Sequence, residues 1–264
     1  MNSGSRSIDD GESMDGFVEL TSPVEGVQVF MAPVGARELK DTPLADPAEV
    51  ATFATDKRRD EHLTGRWLLG AVLQAQGEAD LSSLEVIRSE HRAPSLARIQ
   101  GVWRRTPLPS ISIAHSEGMA FVALADRAWS VGVDAEPLDR TLAANAFDLM
   151  AKGEELQRLE QQPQTAMRLW TGKEAVQKSM GLGMHLNPRE IEIPIEDGIQ
   201  HISIENLKIQ LVYWPENGYH ISLAIRPASA DELTPEDRLL EQTQAAMNAN
   251  PGWGVGCNTQ RNNA

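Results

Sequence analysis

Two short segments, about forty positions apart, most constrain how this chain can fold. Residues 131–136 read Val-Gly-Val-Asp-Ala-Glu, an alternation that predicts the end of a β-strand. Asp134 and Glu136 would then share the face opposite the valines. Residues 170–178 read Trp-Thr-Gly-Lys-Glu-Ala-Val-Gln-Lys. This order predicts the start of a helix, with Thr171 as the N-cap and Glu174 in a capping box. The chain is therefore expected to fold as α+β.

Together the two segments supply three carboxylates and two lysines, namely Asp134, Glu136, Glu174, Lys173 and Lys178. Carboxylates that lie close together repel one another unless a cation stands between them. Mg²⁺ is held by carboxylate and phosphate oxygens. Lysines at a helix N-terminus suit a bound phosphate. These residue types predict a site for a divalent cation and a pyrophosphate.

Each segment alone has a simpler interpretation. Asp134 and Glu136 could be solvated residues at a strand end. Glu174 and Lys178 stand four residues apart and could form a surface ion pair worth only a few tenths of a kcal/mol. The functional interpretation rests on both segments occurring in this order and at this spacing.

Charge and composition exclude several classes of protein. The chain has 264 residues and a net charge of −14, enough length for one large domain or two small halves. Such acidity argues against non-specific nucleic-acid binding and against an anionic membrane surface. The lone Cys257 excludes an internal disulfide. We see neither a signal-peptide layout nor an apolar run long enough to span a bilayer, and expect a cytoplasmic protein.

The composition changes along the chain predict four regions. Residues 1–25 are expected to be a disordered leader, 26–128 an N-terminal α+β half, 129–227 a C-terminal α+β half with the metal site, and 228–264 a tail with a short helix. Within them we expect a long helical region over 47–76, broken or bent near Thr64 and Gly65, and mostly loop over 92–108. The other expected elements are strands at 27–32, 84–89, 111–114, 119–125, 129–136, 190–194, 200–205, 207–214 and 219–226, and helical stretches at 142–161 and 165–180.

The paired segments resemble the signature of the 4′-phosphopantetheinyl transferases, in particular the larger, pseudo-duplicated surfactin-type branch. The resemblance extends over residues 27–226. It implies two similar α+β halves related by a pseudo-twofold, with the active site in the cleft between them, so that one chain could work as a monomer. It also implies a reaction: the 4′-phosphopantetheine arm of coenzyme A passes to a serine of an apo acyl or peptidyl carrier protein, with Mg²⁺, and 3′,5′-ADP leaves.

The resemblance assigns roles in the second half. It implies that Asp134, Glu136 and Glu174 hold magnesium, and that Lys173 and Lys178 contact the pyrophosphate and the leaving group. Glu154 matches a further glutamate of the family. It could serve as the general base, as could Glu174 acting through water, or the metal could polarise the hydroxyl directly.

In the first half, the resemblance implies that Arg66 and His115 meet the 3′-phosphate of coenzyme A. Lys57 and Arg58 form a basic cluster just before Arg66 and could add to that site, or could be a solvated helix face. The chain departs from the family in two places. Ala93 stands where a lysine is common, which makes Arg92, one position earlier, the candidate to replace it, and Ala114 stands where a serine is common.

Two other functions stay open. The chain could be an inactive homologue that binds carrier proteins or coenzyme A as an adaptor. It could also be an acidic interaction protein in which both motifs are coincidental. The sequence does not separate fatty-acid, polyketide and nonribosomal-peptide carriers.

Overall fold

The computed structural model describes residues 16–78, 80–99, 107–194 and 198–229, together with 232, 242–243 and 245–246. The strands are β1 (Val18–Leu20), β2 (Val27–Pro33), β3 (Leu84–Arg88), β4 (Pro94–Arg98), β5 (Ser110–Ser116), β6 (Met119–Ala125), β7 (Trp129–Pro137), β8 (Ile199–Ile204), β9 (Leu207–Glu216) and β10 (Tyr219–Pro227). The helices are α1 (Pro47–Val50), α2 (Asp56–Ala75), α3 (Phe147–Met150), α4 (Gly153–Gln161) and α5 (Ala166–Ser179). The mixed α+β class is confirmed.

The first antiparallel sheet has the strand order β1-β2-β6-β5, and the second has the order β7-β10-β9-β8. In the first sheet, β2 comes before the long helix α2 and pairs with β6, and β6 also pairs with β5. In the second sheet, β7 comes before α5 and pairs with β10, and β10 also pairs with β9. Thus β2-β6-β5 with α2 corresponds in order to β7-β10-β9 with α5. The chain passes from one sheet to the other between Ala125 and Trp129.

The two sheets pack face to face around a shared apolar core. Its buried side chains come from both sheets, with Val29 and Phe121 from the first, and Val133 and Leu223 from the second. The outer face of the first sheet packs against α2 and the β3–β4 hairpin. The outer face of the second packs against α3, α4 and α5. Alternating apolar residues on the central strands explain this layering, since each strand must bury both faces.

Residues 16–25 differ from the expected disordered leader. Val18–Leu20 form β1, which pairs antiparallel with β2, and Leu20 is buried in the core between the sheets. The polar composition of these residues gave no sign of a strand. The burial of Leu20 holds this short strand against the core. The preceding residues 1–15 lie outside the described part of the chain.

The helical region expected over 47–76 is broken at residues 51–55, between α1 and α2, and not near Thr64 and Gly65, where α2 runs unbroken from Asp56 to Ala75. Gly65 instead marks a close approach to β5. A Cβ at this position would lie 2.7 Å from Nε2 of His115 and 2.9 Å from Cγ2 of Ile113. The glycine therefore lets α2 contact the strand that carries His115.

Three further expectations need correction. Residues 94–98, expected to be loop, form β4, which pairs with β3. No strand forms at 190–194, where a 3-10 turn (Pro188–Glu190) is followed by the buried Ile191 and Ile193. The helix expected over 165–180 is confirmed as α5 (Ala166–Ser179), and the N-cap expected at Thr171 is wrong. Thr171 lies inside this helix, fully buried, with its hydroxyl 2.7 Å from that of Ser222.

Most of the tail at 228–264, and with it Cys257, lies outside the described residues. Among the described residues, none of the helices combines the length and the apolar character that a membrane crossing requires.

Candidate active site

Lys178 and Asp134 form the centre of the candidate site. Lys178 lies in the last turn of α5, and its Nζ is 2.6 Å from Oδ1 of Asp134 on β7. The same ammonium group donates to the backbone oxygen of Val133 at 3.0 Å. Glu174, one turn earlier on α5, places Oε2 3.9 Å from this Nζ. The structure thus brings together the strand and helix motifs that the sequence had separated by forty positions.

The Asp134 carboxyl is buried, with 5% of the residue exposed. Burial raises the pKa of Asp134 to about 7, and the negative charges of Glu174 and Glu136 act in the same direction. Lys178 opposes this shift without cancelling it. Burial is the main cause of this shift, so ionisation of the carboxyl is costly here, and a further cation beside it would favour the ionised form.

Glu136 lies two residues further along β7 and has partners of its own. Ser116 at the end of β5 donates a hydrogen bond to its Oε2. Arg140 in the following turn donates to the same oxygen at 2.6 Å. Glu136 is thus tied to the first sheet as well as to its own strand, and both partners would compete with a metal ion for it.

Asp134, Glu136 and Glu174 offer the oxygen ligands that Mg²⁺ prefers. Within the described part of the chain, however, no three acidic, histidine or cysteine side chains are grouped closely enough to form a metal site. The ammonium of Lys178 lies among the carboxylates instead. The donor chemistry and the excess negative charge fit a divalent cation, while the side-chain positions are those of a lysine-paired state.

Lys173 does not join this group. It lies in the middle of α5, fully buried, and its Nζ donates to Glu155 Oε2 at 2.6 Å and to the backbone oxygens of Met150 and Pro188. These three hydrogen bonds use all its donors. The structure does not bring Lys173 to the carboxylate group, because it lies five residues before Lys178, about 140° around the helix, and points toward α3 and α4.

Glu154 is exposed at the start of α4, and it is the neighbouring Glu155 that is buried. Glu155 Oε2 accepts from Lys173, and its Oε1 accepts from the backbone N–H of Ile193 at 3.0 Å. Burial lowers the pKa of Lys173, whereas Glu155 raises it. The structure does not bring Glu154 close to Asp134 and Lys178. The buried carboxylate of this segment belongs to Glu155, and it pairs with Lys173.

A cleft of about 1150 Å³ opens beside Lys178. Residues of both halves line it: α2, β3, β4 and β5 form one wall, and Trp129, Lys178 and the turn after α5 form the other. Asp134, Glu136 and Glu174 are not among the lining residues, so Lys178 is the member of the carboxylate group that reaches the cleft. Among the described residues, six basic side chains and four acidic ones line it. The cleft is therefore net positive in a chain whose net charge is −14.

The first-half wall holds three polar atoms that are buried and have no hydrogen-bond partner. They are Nη1 of Arg66, Nε2 of His62 and Nε2 of His115. Burial lowers the pKa of Arg66 to about 10, with the charge of Arg88 adding to the effect. Burial also lowers the pKa of His115 to about 3, and the charge of Lys178 contributes. Unsatisfied buried donors are costly, so these atoms mark a place where a ligand would be stabilised.

The other predicted contacts divide between cleft and surface. Arg58 and Arg92 line the cleft, whereas Lys57 lies outside its lining. Lys57 and Arg58 both approach Glu61, at 3.9 and 3.4 Å. Arg92 adopts a positive φ of 66° in the turn between β3 and β4, a conformation uncommon for residues other than glycine.

The sequence interpretation missed Arg88 and Glu49, which meet in the cleft wall at 2.5 Å between Nη2 and Oε1. It also missed His62, one turn before Arg66 on α2. The spacing of His62 and Arg66 on one helix face was the available signal for that residue. Nothing local to the sequence connects Glu49 with Arg88, since they come from different elements that only the fold brings together.

Comparison with known proteins gives one family match, which lies in the second half of the chain. Residues 130–224 match the family model described as the 4′-phosphopantetheinyl transferase superfamily. A search among curated proteins found no match. The matched residues extend from β7 into β10 and contain Asp134, Glu174 and Lys178, and this region of the chain is therefore similar to the 4′-phosphopantetheinyl transferase superfamily.

Proposed function

We propose that this protein is an active 4′-phosphopantetheinyl transferase of the pseudo-duplicated, surfactin type. It would transfer the arm of coenzyme A to a serine of an apo acyl or peptidyl carrier protein. The observation that carries the proposal is the position of Lys178. It touches Asp134 and Glu174 on one side and lines the basic cleft on the other. The shared strand order of the two sheets supports the duplicated architecture.

The cleft offers two places for the charged groups of coenzyme A. Near Lys178, the pyrophosphate would be held by the ammonium group that contacts Asp134 in this structure. At the other wall, the unpartnered Nη1 of Arg66 would donate to the 3′-phosphate, and His115 would donate from Nε2 in its protonated form, which a phosphate dianion favours. Arginine is suited to a phosphate because its planar donors match phosphate oxygens.

Magnesium would be held by Asp134, Glu174 and Glu136. A bound divalent cation would neutralise the negative charge that develops on the pyrophosphate as its bond to the departing 3′,5′-ADP breaks. Occupation requires Lys178 to move from Asp134 toward the phosphates, because both cations cannot hold the same carboxylate oxygen. The 28% exposure of the Lys178 side chain leaves room for this movement on the cleft side.

In the reaction, the serine oxygen of the carrier protein bonds to the β-phosphorus, and the bond from that phosphorus to the departing 3′,5′-ADP breaks. The serine proton must pass to a base. Of the predicted carboxylates, Glu174 is favoured over Glu154, because Glu174 borders Lys178 while Glu154 lies on the exposed side of α4. Positioning and charge neutralisation would supply most of the rate enhancement.

An intact-mass assay would test the proposal. A panel of apo carrier proteins is incubated with the protein, coenzyme A and Mg²⁺, with EDTA in a parallel sample. We expect a metal-dependent gain of one phosphopantetheine arm on at least one carrier. Asp134→Asn should abolish the gain, while Asp139→Asn, which removes an exposed carboxylate from the turn after β7, should not.

The alternative is an inactive homologue that acts as an adaptor. The absence of a preformed three-carboxylate metal site among the described residues favours it. Binding of coenzyme A or of a carrier protein without transfer to any carrier would establish the adaptor and reject the enzyme. If neither bound, both proposals would fail.

A further inference from the structure

The carboxylate of Glu49 lies among four potential cations in the first-half wall of the cleft. Its Oε1 is 2.5 Å from Nη2 of Arg88 and 3.3 Å from Nη2 of Arg92. Its Oε2 is 3.9 Å from Nε2 of His62 and 4.0 Å from Nη2 of Arg66. The side chain comes from the short helix α1, whereas its partners come from α2 and from the β3–β4 hairpin. One carboxylate thus joins three elements.

This arrangement leaves polar atoms around Glu49 without hydrogen-bond partners. Both contacts to Oε2 are too long for hydrogen bonds, and Nη1 of Arg66 and Nε2 of His62 are buried without any partner. Glu49 therefore forms a close ion pair with Arg88 but is too far from the buried Arg66 to accept a hydrogen bond from it. An anion with more oxygen atoms than a carboxylate could reach both sets of donors.

The local charge points to a doubly charged ligand. Arg66, Arg88 and Arg92 carry three positive charges. Burial and the charge of Arg66 lower the pKa of His62 to about 4, so it adds none at neutral pH. Burial raises the pKa of Glu49, but the contacts with Arg88 and the other cations outweigh it and leave a lowered pKa. Glu49 is thus ionised and neutralises only one of the three charges.

We propose that Glu49 is a resident counter-ion that occupies the subsite for a terminal phosphate monoester and must be displaced by it. The inference rests on the proposed function, in which that phosphate is the 3′-phosphate of coenzyme A, and it assigns Glu49 and Arg88 as specificity-determining residues. A ligand without this phosphate leaves Glu49 in place. A dianion replaces the carboxylate on Arg88 and Arg92 and also reaches the unpartnered Nη1 of Arg66.

The test compares coenzyme A with dephospho-coenzyme A, which lacks only the 3′-phosphate, by isothermal titration calorimetry. We expect the wild-type protein to prefer coenzyme A. Glu49→Gln should increase the affinity for coenzyme A about tenfold, since one negative charge close to the phosphate is removed, and should leave the affinity for dephospho-coenzyme A within twofold. Glu85→Gln removes an exposed charge of β3 that lies outside the cleft lining and should change neither affinity.

Arg92→Gln provides a second variant that does not endanger the fold, because the Arg92 side chain is 72% exposed. It should weaken binding of coenzyme A several-fold and leave dephospho-coenzyme A unaffected. An unchanged or weaker affinity of Glu49→Gln for coenzyme A would overturn the inference, the weaker value indicating that Glu49 positions the arginines. Equal binding of both ligands by the wild-type protein would also overturn it.

These outcomes are separate from those of the carrier assay. If Glu49→Gln gains affinity for coenzyme A but no carrier is modified, the counter-ion role stands and the transferase proposal fails. If carriers are modified and Glu49→Gln leaves the preference for coenzyme A unchanged, the transferase stands and the counter-ion role fails.

Discussion

A Cβ atom on Gly132 of β7 would lie 2.0 Å from the carbonyl oxygen of Ala175 on α5. It would also lie 2.5 Å from the backbone nitrogen of Ser179. Both neighbours are backbone atoms, so neither can move without shifting the helix. This close contact of strand and helix lets Lys178 reach the carboxyl of Asp134. The glycine of the strand motif therefore has a packing role that supports the site.

The contact predicts a large cost for Gly132→Ala. The helix must move away from β7, and we expect a loss of about 3 kcal/mol in the free energy of unfolding, at the upper end of the range typical of overpacking. Urea denaturation would measure it. Gly35→Ala is the matched control, because a Cβ on Gly35 meets nothing within 4 Å. Equal stability of the two variants would contradict the close contact.

Asp134 should make stability depend on pH in the absence of metal. Its pKa is about 7 in the folded state, mainly because of burial, against an ordinary value of 3.8. The folded protein then binds more protons than the unfolded chain between these values, so this group's contribution to stability falls as pH rises from about 4 to 7. The loss is on the order of 4 kcal/mol.

The comparison with Asp134→Asn isolates this effect. In EDTA, the variant should gain stability relative to the wild-type protein as pH rises through this window, as measured by urea denaturation at several pH values. Added Mg²⁺ should raise the melting temperature of the wild-type protein more at pH 8 than at pH 6, because the metal requires the ionised carboxylate. A difference between the two proteins that is constant with pH would argue against a raised pKa.

Arg66 should govern affinity rather than turnover. Arg66→Gln removes a buried guanidinium with an unpartnered Nη1, at the wall of the cleft remote from the reacting phosphorus in the proposed binding mode. We expect the KM for coenzyme A to rise at least tenfold, with kcat changed less than threefold. Steady-state kinetics on a responsive carrier would measure both. Arg59→Gln, on the same helix but outside the cleft lining, serves as the control.

The sequence predicted the chemistry of the site better than its geometry. Asp134, Glu174 and Lys178 were identified because alternation and helical spacing are local patterns, and the structure brings them together. Lys173 lies away from Asp134 because five residues separate it from Lys178, which places the two lysines on different faces of α5. A capping-box pattern at Thr171 competed with the true start and was misleading.

The first-half wall was harder to predict for a different reason. Arg66 was identified through the family resemblance, but Glu49 and Arg88 come from elements separated by α2. Their contact depends on how α1 and the β3–β4 hairpin pack at one edge of the cleft. The region expected to be loop contains β4, a strand of five residues in which Leu96 is the one large apolar side chain, so that no alternation is visible in the sequence.

The adjacent pair Glu154 and Glu155 allows structure and catalysis to be separated. Glu155→Gln leaves the buried ammonium of Lys173 without its counter-ion and should cost about 3 kcal/mol of stability. Glu154→Gln changes an exposed residue and should leave the free energy of unfolding within about 0.5 kcal/mol. Urea denaturation measures both.

If Glu154 is also not the general base, its variant will retain near-normal transfer to the carrier, whereas Glu174→Gln will lose it. A large loss of kcat in a fully stable Glu154→Gln variant would instead return the base assignment to Glu154 and require α4 to move toward Lys178 when coenzyme A binds.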